Sequence, residues 1–157
     1  MCDDDAGILR RECILPVDRS TTLDWTWRVD ALPSTQAEDT TWTHDYLSVA
    51  TEFDSGRDLT WFWSADLNPV EDTFNCPVRG WSTRETHMPV RRGSEGLGAV
   101  HRERRHVWED HARFMGSPPR YIVAVWLIAV SHFSRSQGRA TFADIRLTTA
   151  GRTVQVL

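Results

Sequence analysis

Two pairs of tryptophans, Trp25 with Trp27 and Trp61 with Trp63, sit two residues apart in this chain, and that spacing constrains the fold more than any other feature. Side chains on a β-strand repeat every two residues, so both members of a pair fall on one face; on a helix the same spacing splays them apart. An indole combines a large apolar surface with one N–H donor, so a cluster of indoles packs a core or lines a pocket for a flat or hydrophobic ligand. The chain holds eight tryptophans in 157 residues. That is more than a core of this size requires, and it points to an aromatic cleft as well as a core.

Strand alternation dominates the rest of the chain. The expected strands are Cys13–Val17, Thr22–Ala31, Asp45–Phe53, Leu59–Ala65, Arg84–Val90, Tyr121–Phe133, Ala140–Leu147 and Thr153–Leu157. Turn chemistry separates them at Asp54-Ser55-Gly56, Asn68-Pro69, Arg92-Gly93-Ser94, Ser117-Pro118-Pro119 and Ser136-Gln137-Gly138. Between Glu103 and Met115, the residues Val107, Trp108, His111 and Phe114 fall on one face of a short helix ending at Gly116. Many strands, one brief helix and no βαβ rhythm predict an all-β fold, an antiparallel β-sandwich or jelly roll. One domain is expected over residues 1–157, with residues 1–12 a loosely ordered N-terminal segment.

The segment Trp25-Thr26-Trp27-Arg28-Val29-Asp30-Ala31-Leu32-Pro33 resembles the opening strand of an uncharacterised bacterial β-sandwich family. Asp45-Tyr46, Arg105-x-Val107-x-x-Asp110 leading to Phe114 and Pro118-Pro119, and Ala143-Asp144-Ile145 follow in the same order. The resemblance implies a sandwich similar in shape to carbohydrate-binding domains. It implies little chemistry, because the family is a domain of unknown function. Where the family tends to show paired acids, this chain has His44-Asp45 and Ser131-His132, which argues against a cation site built on acidic pairs.

Several function classes are disfavoured. The net charge is −4, and the basic run Arg102, Arg104 and Arg105 is interrupted by Glu103 and followed by Glu109 and Asp110, so no nucleic-acid partner is expected. The longest apolar run, Tyr121 to Val130, is about half of the ~20 residues that cross a bilayer. The acidic start, Met1 to Asp5, lacks the positive opening of a secretory signal, so a cytoplasmic location is expected. Cys2, Cys13 and Cys76 are odd in number and widely spaced, which suits neither a disulfide framework nor a zinc site of close cysteine pairs. Cys76, followed by Pro77, reads as a buried thiol. No GxGxxG or GxSxG element is present, and no cofactor or metal is expected. His44, Glu52 and His87 gathered as a distal site form the remaining metal reading.

The polar residues with most to say lie on Trp42–Phe53. Leu47, Val49 and Phe53 share one face with Asp45, whereas Trp42, His44, Tyr46, Ser48 and Glu52 share the other. The second face mixes apolar and titratable groups as a ligand-pocket wall does. Glu85 and His87 make a similar face on the strand Arg84–Val90. His44, Glu52 and His87 are therefore the catalytic candidates, and Trp42, Tyr46, Trp61, Trp63, Trp81 and Glu85 the substrate-binding ones. The bland alternatives are histidines satisfied by neighbours and Glu52 paired with Arg28 or Arg84. Arg105 with Asp110 is expected as a structural ion pair, and His101, His106 and His111 as surface residues.

The leading expectation is a cofactor-independent cyclase or isomerase of natural-product biosynthesis, acting on a hydrophobic polyene or polyketide-like substrate. Confinement in such a cavity can lower a barrier by ~7–11 kcal/mol. Proton transfer by His44 or His87 would add a limb to the pH profile. The alternative is a carbohydrate- or ligand-binding module without catalysis. A homodimer built on exposed indoles is the third.

Overall fold

The alternating tryptophans do form strands, and both pairs point inward. The computed structural model describes residues 1–156. Eleven strands run β1 (Cys2–Asp3), β2 (Ala6–Pro16), β3 (Thr22–Ala31), β4 (Leu47–Phe53), β5 (Asp58–Ser64), β6 (Phe74–Asn75), β7 (Glu85–Arg92), β8 (Val100–His106), β9 (Tyr121–Val130), β10 (Gln137–Thr149) and β11 (Arg152–Gln155). Among the described residues one α-helix, α1 (Val107–Phe114), lies between β8 and β9. Leu157, the expected end of the last strand, lies outside the described residues.

Two sheets result. One has the order β2-β9-β4-β5-β7-β6; the other runs β1-β10-β3-β8, with β11 also pairing β10. Trp25 and Trp27 of β3 meet Trp61 and Trp63 of β5 between the sheets, at ring-centroid distances of 6.3 and 5.7 Å. All four indoles are buried among Leu23, Val29, Leu47, Val49, Phe53, Met88, Ile122 and Leu147. Burying side chains of this size stabilises the sandwich by roughly 1.5–3 kcal/mol each. The all-β sandwich is the fold the alternation predicts.

Two expectations fail at edges. Residues 6–12, expected to be loose, belong to an 11-residue strand. β2 is almost wholly exposed and is held by its backbone ladder to β9, from Ala6 opposite Val130 to Pro16 opposite Tyr121. Backbone pairing leaves no hydrophobic period to read. Likewise Glu103–His106, placed in the helix, belongs to β8, which pairs with β3. Its side chains alternate half-buried and exposed, but the inward set is His101, Glu103 and Arg105. Charged inward residues suit an edge strand, because they discourage pairing with a further chain.

The connection from β5 to β7 positions the site. These neighbours run parallel, and a parallel pair needs a long crossover rather than a tight turn. Residues 65–84, with β6 inside them, place Leu67 and Phe74 against Tyr46, Ala50, Phe62, Ile128 and Val130 on the outer face of the six-stranded sheet. A second apolar cluster thus forms away from the inter-sheet core.

Candidate functional site

Strand register sets the outer face out in rows. Glu52 of β4 lies opposite Asp58 of β5, which lies opposite Glu85 of β7. The backbone N–H of Cys76 donates to the Glu85 carbonyl at 3.0 Å. The next row holds Arg10, Trp126, Ala50, Thr60, His87 and Phe74. With strands ~4.8 Å apart, three carboxyl groups stand in a line across neighbouring strands.

This face opens into a cavity of about 460 Å³, whose wall includes Tyr46, Trp81, Trp126 and Ile128 beside Asp58 and Glu85. Phe133 belongs to the wall because the buried Asp45 carboxylate accepts the backbone N–H groups of Phe133 and Ser134, at 2.9 and 2.7 Å. At the acidic end, Glu52 pairs with Arg10 at 2.9 Å and accepts the Trp126 Nε1–H at 3.1 Å. The Arg10 guanidinium lies over the Trp126 ring, and that of Arg84 over Trp81.

His44 stands at the other end of this wall. Its ring centroid lies 4.6 Å from that of His87 and 4.9 Å from that of Tyr46. Its Nδ1 is 2.7 Å from the Glu38 carbonyl oxygen, which can only accept, so Nδ1 carries the proton and Nε2 presents a lone pair. Nε2 faces the Cys76 Sγ at 3.4 Å. His87 is fully buried, stacked on Phe74, and neither of its ring nitrogens has a hydrogen-bond partner among the described residues.

Burial sets the protonation states. It holds His44 below and His87 well below the usual imidazole range, and it pushes the Cys76 thiol up to about 12. Burial likewise raises Asp58 to about 8, with the Glu85 and Glu52 charges adding to the effect and Thr60 and Arg84 opposing it. Glu85 is also raised by burial. Glu38 rises to about 7 through burial, opposed by its bonds from Ser64 and Ala65. Burial thus moves His44 and His87 away from titration near neutrality and moves Asp58 and Glu38 towards it.

His44, Tyr46, Glu52, Trp81 and Glu85 share the cavity wall, and His87 packs against His44. Glu52 lies two strands across and one row along from His87, roughly 12 Å between backbones, and its carboxylate is held by Arg10 and Trp126 on the β9 side, so it does not join the two histidines. Its partner is Arg10 rather than Arg28 or Arg84. Trp61 and Trp63, expected in the pocket wall, lie in the inter-sheet core instead, because on β5 it is Thr60 and Phe62 that face outward. Trp42 sits on a 3-10 turn, 80% exposed, outside the cavity. His111, expected on the surface, is buried against Phe53. The expected Arg105–Asp110 pair is present at 2.6 Å.

Asp58, Cys76, Arg10 and Trp126 were missed as site residues. Asp58 precedes its strand by one residue in the sequence reading, Arg10 falls in the segment read as loose, and Trp126 is hidden in an unbroken apolar run. The alternation of β5, extended back one residue, would have placed Asp58 beside Thr60 on the outer face.

A family described as a protein of unknown function, DUF3047, matches residues 1–146. The chain belongs to this family. The DUF3047 match takes in the whole cavity wall, from Ala6 to Phe133. No curated protein and no solved structure matches the chain.

The Asp58 environment has a measurable consequence for stability. A carboxyl raised from 3.8 to about 8 on folding makes the native state hold a proton that the unfolded chain releases. Stability therefore falls as pH rises between those values and levels off above them. Asp58→Asn is expected to remove its share of that slope, leaving the part due to Glu38 and Glu85, and to stabilise the protein above about pH 8. Urea midpoints measured across the range check this; a variant with an unaltered slope would show that Asp58 titrates normally.

Proposed function

We propose that the outer-face cavity binds a predominantly apolar small molecule, such as a polyene or polyketide-like compound, and that in a cyclase- or isomerase-type reaction Asp58 delivers its proton to one carbon of that molecule and, as the carboxylate, takes a proton back from another. The observation that carries this reading is the row Glu52, Asp58 and Glu85, set side by side at one end of a largely apolar cavity whose other charged lining residues are Arg10 and Arg84. Three neighbouring carboxyls cannot all ionise cheaply when partly desolvated. Glu52 has Arg10 and Trp126 as partners, whereas Asp58 has the Thr60 hydroxyl at 3.3 Å. Asp58 is therefore the group that holds a proton near neutrality, and a carboxylic acid with a pKa close to the working pH is an efficient proton donor.

One observation supports this reading over sugar binding. Sugars stack on open indole faces, but Trp81 and Trp126 each carry an arginine over the ring, with guanidinium carbons 5.4 and 5.5 Å from the centroids. Tyr46 and Ile128 instead extend the apolar wall.

A panel of neutral isoprenoid and polyketide-type polyenes, incubated with the protein in D₂O, tests the proposal. Mass spectrometry should show deuterium incorporated into at least one of them, and Asp58→Asn should slow that incorporation by about 100-fold. Trp126→Ala should weaken binding of the same compound about tenfold, read by fluorescence titration. Incorporation unchanged in Asp58→Asn, or sugar-specific quenching without any polyene product, would overturn the assignment.

A further inference from the structure

Beyond the acidic row, the same wall carries a second chemistry. One thiol and two imidazoles, those of Cys76, His44 and His87, come together from the crossover, from the loop before β4 and from β7. Each offers one ligand atom, and those three atoms lie within 4.8 Å of one another. We propose that His44, Cys76 and His87 form a binding site for a zinc-class divalent metal ion, with its fourth position open to the cavity.

Three independent features support the site. First, the donors suit the ion: thiolate and imidazole select zinc and its neighbours over magnesium or calcium. Metal–sulfur bonds of ~2.3 Å and metal–nitrogen bonds of ~2.0–2.1 Å in a tetrahedron place donors about 3.3–3.6 Å apart. The His44 Nε2 to Cys76 Sγ distance is already 3.4 Å, and small side-chain rotations close the rest.

Second, His44 is oriented as a ligand. Its Nδ1–H donates to the Glu38 carbonyl at 2.7 Å, which leaves Nε2 unprotonated and aimed at the thiol. Metal-bound histidines characteristically use their other nitrogen this way, which fixes tautomer and ring plane. Third, His87 is 0% exposed, and neither ring nitrogen has a hydrogen-bond partner among the described residues. A buried polar group left unsatisfied is costly and calls for a partner. A cation at the junction with His44 and Cys76 supplies it for the ring nitrogen that carries the lone pair.

Phe74, Phe62 and Tyr46 pack around the His87 ring. They close the site on its inner side, whereas His44 and Cys76 also line the cavity. Three protein ligands with one position facing a pocket match catalytic rather than structural zinc sites, in which the fourth position takes water or a ligand atom. Coordination converts the Cys76 thiol to a thiolate, with its proton released to solvent as the metal–sulfur bond forms.

The experiment is a Co²⁺ titration of the untagged full chain after treatment with a chelator. One equivalent should produce the intense visible bands of a tetrahedral cobalt site and a near-ultraviolet thiolate-to-cobalt charge-transfer band, and Zn²⁺ should abolish both by displacement. Cys76→Ser should remove the charge-transfer band, whereas Cys13→Ala should retain it. His87→Gln should weaken Zn²⁺ binding by more than the roughly 10–100-fold that losing a supporting contact brings. A folded wild-type chain, verified by near-ultraviolet circular dichroism, that shows no cobalt bands overturns the site. So does a charge-transfer band that survives Cys76→Ser. Metal binding is independent of the polyene reading: Asp58→Asn should leave the cobalt spectrum intact, so the two proposals fail separately.

Discussion

Trp61→Ala is expected to destabilise the protein by about 3–5 kcal/mol, because truncating a fully buried indole loses its burial and leaves a cavity. Trp61 is 0% exposed; it packs on Trp25 and donates its Nε1–H to the Asp110 Oδ2 at 3.0 Å. The substitution removes the core contact and one partner of a buried carboxylate together. In a chain of this size such a loss lowers the melting temperature by roughly 10–15 °C. In urea, the midpoint should fall while the slope stays constant, as for a native-state loss without a change in the surface exposed on unfolding. Trp81→Ala is the control: Trp81 is 46% exposed at the cavity rim, and its loss should cost under about 1 kcal/mol. If Trp61→Ala proved nearly neutral for stability but abolished ligand binding, the indole would belong to a pocket wall and its placement between the sheets would be wrong.

Asp110→Ala should cost about 3 kcal/mol, since removing one partner of a buried ion pair leaves the other charge uncompensated. The Asp110 carboxylate is the junction of three elements. From the first turn of α1 it accepts Arg105 Nε–H and Nη2–H of β8 at 2.9 and 2.6 Å, and it accepts the indole N–H of Trp61 on β5. The two sheets and the helix therefore share one polar contact. Asp110→Asn, which keeps an acceptor for Trp61 but loses the charge, should cost less than Asp110→Ala. In a double-mutant cycle, Arg105→Ala combined with Asp110→Ala should cost less than the sum of the two, by about 1–3 kcal/mol. Urea unfolding of the four proteins supplies the numbers, and strict additivity would show that the pair contributes nothing as a pair.

The same two regions show how far local pattern reaches. Trp25, Trp27, Trp61 and Trp63 announced their strands correctly because a two-residue period is a property of the backbone alone. Which face meets the other sheet is a different question. On β5 the indoles alternate with Thr60 and Phe62, both also fully buried, so each face of the strand is hidden from solvent and hydropathy does not separate core from pocket. On β4 the faces differ, with Leu47, Val49 and Phe53 inward and Tyr46 and Glu52 outward. There the polar residues were legible as a cavity wall.

The candidate metal ligands illustrate the remaining gap. His44, Cys76 and His87 are 32 and 11 residues apart in sequence order, with none of the close spacing that marks a zinc motif on a single turn. They meet because β5 and β7 are parallel neighbours, and the crossover this demands carries Cys76 across the sheet to His87.

The sequence by itself determined the strands β3, β4, β5, β7, β9, β10 and β11, the short helix ending before Gly116, the sandwich class and the polar outer face of β4, since each depends on the periodicity or turn chemistry of a contiguous segment. Tertiary structure alone decided that β2 and β8 are edge strands, that the paired indoles fill the core, that Arg10 holds Glu52, and that Asp58 and Glu85 stand side by side. These depend on which strands become neighbours and in what register. Pairing through backbone hydrogen bonds, which every residue type except proline can make in full, leaves no trace in side-chain pattern.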